Sequence, residues 1–512
     1  MNRLPPCNRA CPAGENIQEW LYRAVAGDSY AAWKSLVENN PLPAIMGRAC
    51  YHPCESACNR GQFDQTVNIH AVERFLGDEA IRRGWQFDPG AQSSGKHVLI
   101  VGSGPSGLSA AYHLSRLGHR VTIYEAGPAA GGMMRFGIPT YRLPREILNA
   151  EIARIENLGV TICLNRRVDD LAKLLDDKQF DAAFLAVGAH VSKRAYIPAA
   201  DASHILDALG VLRSVDGGEP PELGRRVLVY GGGNTALDVA RTAKRLGAVE
   251  TLIVYRRTRE KMPAHDFEVQ EAIEEGIQFK WLSTIKAAGE SSFTVEKMRL
   301  DEKGFPQPTG EFETIEADSL VLALGQDVDL SFLERVPGLE IVDRVVKVSA
   351  QMMTGHPGVF AGGDMVPDER TVTVAVGHGK KAARSIDAWL RGCAQQPVVS
   401  HELATFDQLH TWHYQKAHST VQSVLDAVRR QTTFDEVVSG LDESNSLLEA
   451  RRCLSCGNCF ECDNCLNVCS DEAVVKLGPG NRFRFDYDNC KGCGMCAQEC
   501  PCGAIEMVAE PV

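Results

Sequence analysis

The long middle part of the chain, residues 59–452, is almost free of cysteine, since it holds only Cys163 and Cys393 of the 18 cysteines in the sequence. A dithiol redox centre needs two cysteines that lie close together, and these two stand alone with no partner at a useful spacing. We therefore expect spare or buried thiols at both positions and exclude dithiol chemistry from this part of the chain. The 14 histidines also show no spacing typical of a metal-binding pair.

Long hydrophobic runs and an excess of positive charge are also absent. No apolar stretch approaches the about 18 to 20 residues of a membrane-spanning helix, and no signal peptide opens the chain. We therefore expect a cytoplasmic protein without direct membrane insertion. The formal net charge of −12 argues against nucleic acid as a partner. The length predicts about three or four domains, each with its own core.

Cysteine is concentrated near the C-terminus, in two groups with the spacing of a bacterial two-cluster ferredoxin. Each 4Fe-4S cluster of such a protein takes three thiolates from a C-x2-C-x2-C turn and a fourth from the other motif. Only the register that begins at Cys459 places a cysteine four residues after the third ligand, at Cys469. This register assigns one cluster to Cys459, Cys462, Cys465 and Cys500, and the other to Cys490, Cys493, Cys496 and Cys469.

The ferredoxin register leaves Cys453 and Cys456 unused, and Ser470 stands where such motifs usually have proline. The alternative, structural zinc, would normally use four ligands per site with longer loops between the pairs, so the spacing favours clusters. Such clusters transfer single electrons. Residues 453–512 carry nine acidic and four basic side chains, which fits either docking on a basic surface or a solvated acidic face.

Residues 97–125 contain a complete dinucleotide-binding fingerprint. Residues 97–101 predict a buried parallel strand, a glycine-rich turn leads into a helix over 108–117, and a second strand over 121–124 ends in Glu125. The glycines permit a tight turn and the close approach of a pyrophosphate to the helix N-terminus, and Glu125 can accept from a ribose hydroxyl. The three glycines are Gly102, Gly104 and Gly107.

A second nucleotide-binding unit begins with a strand over 226–230, followed by a glycine-rich turn, a helix that runs to Leu246 and a strand over 251–255. Arg256 and Arg257 follow, where an NAD site would have an acidic residue, so the pair favours the 2′-phosphate of NADPH over NADH. Arg259 and Lys261 just beyond keep open the alternative of a solvated strand end. The candidate nucleotide ligands of the turn are Gly231, Gly233, Asn234 and Ala236.

From Cys7 to about Leu390 the chain resembles the family of the bacterial glutamate synthase small subunit and the N-terminal half of dihydropyrimidine dehydrogenase. The resemblance rests on long motifs: Cys7-Asn-Arg-Ala-Cys11-Pro12, Cys50-x3-Cys54-x3-Cys58, the glycine loop 102–107, Gly-Gly-Met-Met-Arg-Phe-Gly-Ile-Pro-Thr-Tyr-Arg-Leu-Pro at 131–144, Gly231 to Arg241, and Val254-Tyr-Arg-Arg. It implies that the first unit holds FAD and that an inserted second unit holds NADPH or NADH.

The same resemblance implies further parts of the FAD site and an N-terminal helical domain with two 4Fe-4S clusters. It adds Gly132, Gly363 and Asp364 to the FAD ligands, with Asp364 on the ribityl chain. The helix near residues 371–381 would then approach the isoalloxazine ring.

One part of the family pattern is missing from its usual place. The family has a Glu-Ala-x-Arg-Cys-Leu-x-Cys stretch shortly before the first N-terminal cysteines, and here this stretch occurs at 449–456. We therefore expect that the ligand pair has moved to the other end of the chain, although an alternative is that Cys453 and Cys456 are spare and one N-terminal cluster forms. The expected ligands are Cys453, Cys456, Cys7 and Cys58 for the first cluster, and Cys11, Cys50, Cys54 and Glu73 for the second.

These parts predict a multidomain α/β fold with an N-terminal helical Fe-S domain, two Rossmann-like domains and a C-terminal α+β two-cluster ferredoxin. In the connector before the ferredoxin, residues 419–429 and 434–441 have helical periodicity. The expected boundaries are 1–94 for the Fe-S domain, 95–205 and 325–392 for the FAD domain, 206–324 for the NAD(P)H domain, 393–452 for a helical connector and 453–512 for the ferredoxin domain.

No segment remains to form a substrate site, so we expect no catalytic residues beyond the cofactors. The expected function is that of an electron-transfer subunit that exchanges hydride between NAD(P)H and FAD. It would relay single electrons through four 4Fe-4S clusters to or from a catalytic partner, with a 2-oxoacid:acceptor oxidoreductase favoured by analogy. The alternatives are a stand-alone NAD(P)H:ferredoxin or iron reductase that serves a soluble ferredoxin or iron, a glutamate synthase small subunit, and a non-enzymatic scaffold.

Overall fold

The computed structural model describes residues 3–193, 195, 197–198, 204–394 and 401–509. The chain divides into two compact units. The first comprises Met1–Pro89, Thr371–Gln422 and Gly440–Val512, and the second comprises Gly90–Arg370 and Ser423–Ser439.

In the part of the chain that the structure describes, six α-helices come before the first strand, and helices and strands then alternate through much of the middle of the chain. The α-helices are α1 (Pro6–Ala10), α2 (Ile17–Val25), α3 (Ser29–Val37), α4 (Pro43–Ala49), α5 (Pro53–Ser56), α6 (Ile69–Arg82), α7 (Pro105–Arg116), α8 (Met133–Phe136), α9 (Arg145–Glu156), α10 (Leu171–Asp176), α11 (Ala208–Asp216), α12 (Asn234–Arg245), α13 (Asp266–Glu274), α14 (Val372–Leu390), α15 (Ala427–Thr432), α16 (Glu443–Arg451), α17 (Asn464–Asn467) and α18 (Met495–Gln498). The strands are β1 (His97–Val101), β2 (Arg120–Tyr124), β3 (Thr161–Cys163), β4 (Ala182–Leu185), β5 (Val191–Ser192), β6 (Ile205–Asp207), β7 (Arg226–Tyr230), β8 (Glu250–Val254), β9 (Gln278–Lys280), β10 (Ser283–Ala288), β11 (Ser292–Leu300), β12 (Pro306–Glu316), β13 (Ser319–Leu322), β14 (Gln326–Asp327), β15 (Ile341–Val342), β16 (Val345–Val346), β17 (Val359–Ala361), β18 (Val474–Lys476) and β19 (Phe483–Phe485).

The second unit contains two five-stranded parallel sheets. The first has the strand order β17-β4-β1-β2-β3, and the second has the order β6-β13-β7-β8-β9. The strands of the second sheet come between β4 and β17 in the chain, so one nucleotide-binding fold is inserted into the other. The central strands are buried hydrophobic runs, as expected for parallel sheets with helices on their faces. The expected multidomain α/β class is confirmed.

The N-terminal part of the first unit, from α1 to α6, is helical. Its core includes the fully buried Trp20 and Trp33, and α4 packs closely on α6. A Cβ atom at Gly77 would lie 2.3 Å from the backbone nitrogen of Ala44, so only glycine permits this approach. The contact joins two of the expected cluster ligands, because α4 ends directly before Cys50 while α6 carries Glu73.

The C-terminal part of the first unit has the small α+β pattern of a ferredoxin. β18 and β19 form an antiparallel pair in which Val474 faces Phe485. The short helices α17 and α18 follow the first cysteines of the two cysteine motifs and contact each other. Within the described ranges, no helix of the chain combines the length and apolar composition needed to cross a bilayer.

The helical expectation for the connector is wrong over most of its length. Residues 419–426 and 434–441 are not helical, and only α15 occupies the region between them. Their backbone groups are paired in another way: Leu425 donates to the carbonyl of Val437, and Ser439 donates to that of Ser423. A pairing of two extended segments satisfies the backbone as well as a helix would, and the spacing of apolar residues does not distinguish these cases.

We expect Gly77→Ala to destabilise the protein by about 1–3 kcal/mol, because the added methyl group overpacks the contact of α6 with α4. Thermal unfolding of the anaerobically purified protein measures this loss. Gly217→Ala is the matched control, since Gly217 has φ −72° and its nearest neighbour to a new Cβ lies at 3.4 Å. Equal midpoints for the Gly77 variant and the wild type would contradict the close approach.

Candidate cofactor sites

The first glycine turn lies between β1 and the start of α7. Gly102 has a φ of +102°, and a Cβ there would meet the carbonyl oxygen of Ala186 at 2.4 Å. A Cβ at Gly107 would lie 2.0 Å from the carbonyl oxygen of Gly102, so the turn packs closely on the helix. A Cβ at Gly104 would meet no atom within 4 Å, which leaves open space at the N-terminus of α7. This open helix end fits a pyrophosphate.

The carboxylate of Glu125 stands directly after β2 and is held by the glycine turn. Its Oε2 accepts from the backbone nitrogen of Ser103 at 2.9 Å and from the Ser103 hydroxyl at 2.5 Å. Its Oε1 accepts from the backbone nitrogen of Gly127 at 2.7 Å. A carboxylate has about four acceptor positions, so Glu125 retains capacity for a ribose hydroxyl.

Two later segments of the chain return to this turn. Gly132 has a φ of +53°, and a Cβ there would lie 2.8 Å from the Cα of Gly104. Gly363 has a φ of +70°, and its Cβ would lie 3.2 Å from the Cβ of Ser106. The structure therefore brings these two glycines to the fingerprint turn. Burial raises the pKa of the adjacent Asp364 carboxyl, with a smaller opposing effect of Arg370.

The second glycine turn, between β7 and α12, has the same close backbone contact and the same open helix start as the first. Gly231 has a φ of +153°, and a Cβ there would meet the carbonyl oxygen of Ala323 at 2.2 Å. A Cβ at Gly233 would meet nothing within 4 Å, again leaving space at a helix start. Asn234 is the first residue of α12 and accepts from the backbone nitrogen of His265 at 3.2 Å, while Ala236 is fully buried.

The two arginines after β8 have different surroundings. Arg256 is exposed, whereas Arg257 is half-buried with its guanidinium 5.8 Å from the ring centre of Phe305. The Nε of Arg257 is buried without a hydrogen-bond partner. Buried donors normally find a partner, so this nitrogen suits an anionic ligand such as a phosphate.

A buried charge network anchors the helix of the second turn and was not anticipated from the sequence. Arg241 and Arg245 of α12 both pair with Glu275, at 2.7 Å in each case, and none of these side chains is exposed. The guanidinium of Arg245 lies 3.8 Å from the ring centre of Tyr141, and Arg142 pairs with Asp238 at 2.9 Å. Tyr141 and Arg142 belong to the 131–144 motif, so this motif links the two nucleotide-binding folds.

Four cysteines from opposite ends of the chain converge in the first unit. Cys7, Cys58, Cys453 and Cys456, here called site A, line one cavity together with apolar side chains such as Leu21. Burial raises the pKa of the Cys7 thiol well above its usual value, and the neighbouring thiols of Cys453, Cys58 and Cys456 raise it further.

The stretch before Cys453 is held against the residues that follow Cys58. The buried carboxylate of Glu449 accepts from the backbone nitrogens of Asn68 at 2.7 Å and Thr420 at 2.8 Å, and it pairs with Arg452. Arg452 donates to the carbonyl oxygen of Gln65 at 2.6 Å, and its own carbonyl accepts from Arg60 at 2.5 Å. These bonds position the cysteine pair and give Glu449 and Arg452 a local structural role.

A second group, site B, consists of Cys11, Cys50, Cys54 and Glu73. Burial raises the pKa of Cys50 to about 12, and the charge of Glu73 contributes. Burial also raises the pKa of Cys11, with contributions from Glu73 and Cys50 among others. Glu73 is buried and accepts from the amide of Asn40 at 2.8 Å, and the same amide donates to Glu15 at 2.9 Å.

The ferredoxin cysteines form the two groups expected from their spacing. Burial raises the pKa of Cys465 to about 12, and the thiols of the other three members contribute. In the second group, Asp471 raises the pKa of Lys491 and the charges of Cys493 and Cys469 add to this effect. We call these groups site C (Cys459, Cys462, Cys465 and Cys500) and site D (Cys469, Cys490, Cys493 and Cys496).

Sites C and D differ in exposure and in their neighbours. Cys465 and Cys500 of site C are buried, whereas Cys490 and Cys493 of site D are exposed. Cys502, which is not among the four cysteines of site C, is also buried, with its sulfur 3.8 Å from that of Cys500. Site D is therefore the more solvent-accessible of the two groups.

The chemistry of these groups fits iron–sulfur clusters. Buried thiols that raise one another's pKa resist ionisation alone, but a cationic iron centre neutralises their charge and displaces the protons. Sites A, C and D each bring together four thiols, and site B brings together three thiols and a carboxylate. Glu73 was expected from family alignment alone, and the geometry now places it beside Cys11 and Cys50.

The chain matches three protein-family models. The pyridine nucleotide-disulphide oxidoreductase model matches residues 96–379. A dihydropyrimidine dehydrogenase domain II 4Fe-4S cluster model matches residues 3–85, and a 4Fe-4S binding domain model matches residues 483–506. These matches confirm the resemblance inferred from the motifs.

The chain is similar to named subunits of several bacterial oxidoreductases. It is 37% identical over 500 residues to the NADP(+)-dependent formate dehydrogenase subunit beta of Moorella thermoacetica, covering 88% of this chain and 70% of the relative. It is 33% identical over 513 residues to the NADPH-Fe(3+) oxidoreductase subunit beta of Geobacter sulfurreducens, covering 88% of this chain and 74% of that relative. It is 32% identical over 426 residues to the glutamate synthase [NADPH] small chain of Escherichia coli, covering 75% of this chain and 89% of that relative.

A solved structure shares the nucleotide-binding fold. FprA from Mycobacterium tuberculosis aligns with a TM-score of 0.50 and 18% identity, covering 58% of this chain and 85% of that protein. At this identity the match shows the fold alone.

We expect Arg256→Gln combined with Arg257→Gln to lower kcat/KM for NADPH by about 10- to 100-fold, since losing hydrogen bonds to a charged phosphate costs about 1.5–3 kcal/mol. The value for NADH should stay unchanged, because NADH lacks the 2′-phosphate. Arg259→Gln is the control, because Arg259 belongs to the same strand end but is not one of the two expected phosphate ligands. It should leave kcat/KM unchanged for both NADPH and NADH. An equal loss with both cofactors would contradict phosphate binding by this pair.

Proposed function

The chain belongs to the pyridine nucleotide-disulphide oxidoreductase family, and we propose that it is the NAD(P)H-dependent electron-transfer subunit of a larger oxidoreductase. The observation that carries this proposal is the presence, in one chain, of two glycine turns that open onto helix starts and of four groups of neighbouring cysteines, one of which includes Glu73. The names of the Moorella, Geobacter and Escherichia relatives, each a subunit or chain of an oxidoreductase, support it.

In this proposal the first sheet holds FAD and the second holds the nicotinamide cofactor. When bound, the flavin exchanges a hydride with the nicotinamide and single electrons with the clusters. The open helix end at Gly104 would receive the pyrophosphate of FAD, and Glu125 would hold a ribose hydroxyl. The unpartnered Nε of Arg257 supports NADPH over NADH.

Sites A to D would hold four 4Fe-4S clusters. The convergence of Cys7 and Cys58 with Cys453 and Cys456 supports the inference that the ligand pair of the family has moved to the other end of the chain. The proximity of Glu73 to Cys11 and Cys50 supports a carboxylate as the fourth ligand of site B. None of the 18 cysteines, all of which lie within the described residues, forms a disulfide in the structure, which supports a reducing, cytoplasmic location.

We propose that the partner is a catalytic subunit that exchanges electrons with this chain. The name of the Moorella relative favours a formate dehydrogenase over the 2-oxoacid:acceptor oxidoreductase expected by analogy. A stand-alone reductase of iron or ferredoxin is the second candidate, since the Geobacter relative is named for Fe(3+) reduction, although it too is named as a subunit.

Anaerobic purification of the native complex from its own host tests this function. We expect a catalytic oxidoreductase subunit to be recovered with this chain in a fixed ratio, and the identity of that subunit names the reaction. Bleaching of the bound flavin by NADPH in the same preparation shows that the nucleotide units are active. Recovery of the chain alone would contradict a subunit role and favour the stand-alone reductase.

We expect Cys453→Ser combined with Cys456→Ser to remove about one 4Fe-4S cluster, or about four iron atoms per chain, because site A loses two of its four ligands. Iron and FAD are measured in the anaerobically purified full chain. Cys163→Ser combined with Cys393→Ser is the matched control and should keep all the iron. If the iron-to-FAD ratio of the first variant equals that of the wild type, the ligand pair does not serve site A.

A further inference from the structure

A side-chain hydroxyl reaches a sulfur of site B from a distant part of the chain. Thr373 Oγ1 donates to Cys50 Sγ at 3.1 Å. Thr373 lies in the first turn of α14 and is only 3% exposed. The hydroxyl is not needed to begin the helix, because Thr371 caps α14 by accepting from the backbone nitrogen of Val374 at 3.2 Å. Its bond to the sulfur therefore calls for another explanation.

The position of Thr373 is fixed by two further contacts on the same face of α14. Gly377 and Lys380 follow at the i+4 and i+7 positions, and a Cβ at Gly377 would lie 2.1 Å from the carbonyl oxygen of Pro12. Lys380 Nζ donates to the carbonyl oxygens of Ala13 at 3.0 Å and Gly14 at 2.9 Å. The helix thus packs closely on the loop that follows Cys11, and it cannot shift without breaking these contacts.

Other sulfur atoms in the sites receive hydrogen bonds mainly from the backbone. Backbone nitrogens donate to Cys453 at 3.4 Å, to Cys459 at 3.4 Å and to Cys469 at 3.3 Å. Such bonds come with the loop conformation that any set of cysteine ligands adopts. The bond from Thr373 depends on one side chain, so a single substitution removes it while the loop stays intact.

We propose that the Thr373 hydroxyl raises the reduction potential of the site B cluster through its hydrogen bond to the Cys50 sulfur. Hydrogen bonds to the sulfurs are among the factors that set the potential of an iron–sulfur cluster. Reduction adds one electron and breaks no bond, and a donor stabilises the more negative, reduced state more than the oxidised state. The inference rests on the proposed ligand set of site B, and its consequence is easier electron entry into that cluster.

Thr373→Val tests the proposal because valine keeps the branched shape and removes the hydroxyl. An anaerobic redox titration of the full, cluster-loaded chain is followed by electron paramagnetic resonance. One component of the cluster signal should shift to a more negative potential in Thr373→Val. Thr373→Ser, which retains a hydroxyl, should restore the wild-type value. Ser385→Ala in the same helix should cause no shift, because its hydroxyl donates to the backbone carbonyl of Lys381 at 3.0 Å.

Two results would overturn the proposal. Identical potentials in Thr373→Val and the wild type would show that the hydroxyl does not tune the cluster. A loss of iron in Thr373→Val would show that the side chain holds the ligand loop rather than sets the potential. The wild-type protein tests the proposed function separately. If site B holds no cluster, the wild-type protein itself lacks the site B signal.

Discussion

The convergence of cysteines from distant parts of the chain is the constraint on which the proposed cluster sites depend. A cluster binds only where its ligands meet, so parts of the chain that are remote in sequence must fold together. Site A shows this most clearly, because Cys7 and Cys58 lie beside Cys453 and Cys456. The buried ion pair of Glu449 with Arg452 and its backbone partners keep this junction in place. The ferredoxin motif begins three residues after Cys456, so the same junction fixes its starting point.

The chain belongs to a family named for disulphide reduction, yet residues 59–452 contain only Cys163 and Cys393. Cys163 is the last residue of β3, and Cys393 is exposed just after α14. In this chain the fold is accompanied by four groups of neighbouring cysteines, which we propose as cluster ligands. The nucleotide-binding parts have thus kept their glycine turns, while the route for electrons would lie in the cysteine-rich ends of the chain.

The sequence predicted those features that depend on local pattern. The strands at 97–101 and 226–230 and the glycine turns after them were predictable because buried parallel strands and positive-φ glycines leave a clear signature. The connector was predicted wrongly because apolar spacing alone does not reveal the pairing of Leu425 with Val437. The bond from Thr373 to Cys50 and the stacking of Arg245 on Tyr141 join residues with no sequence signal in common, so they required the folded structure.

The central claim is that one flavin and four clusters share this chain, and electron counting tests it most directly. Anaerobic titration of the purified chain with a strong chemical reductant gives the number of electrons taken up per polypeptide. The account predicts about six, two for the flavin and one for each of four clusters. An uptake of about four, which the flavin and the two ferredoxin clusters alone would explain, would contradict it.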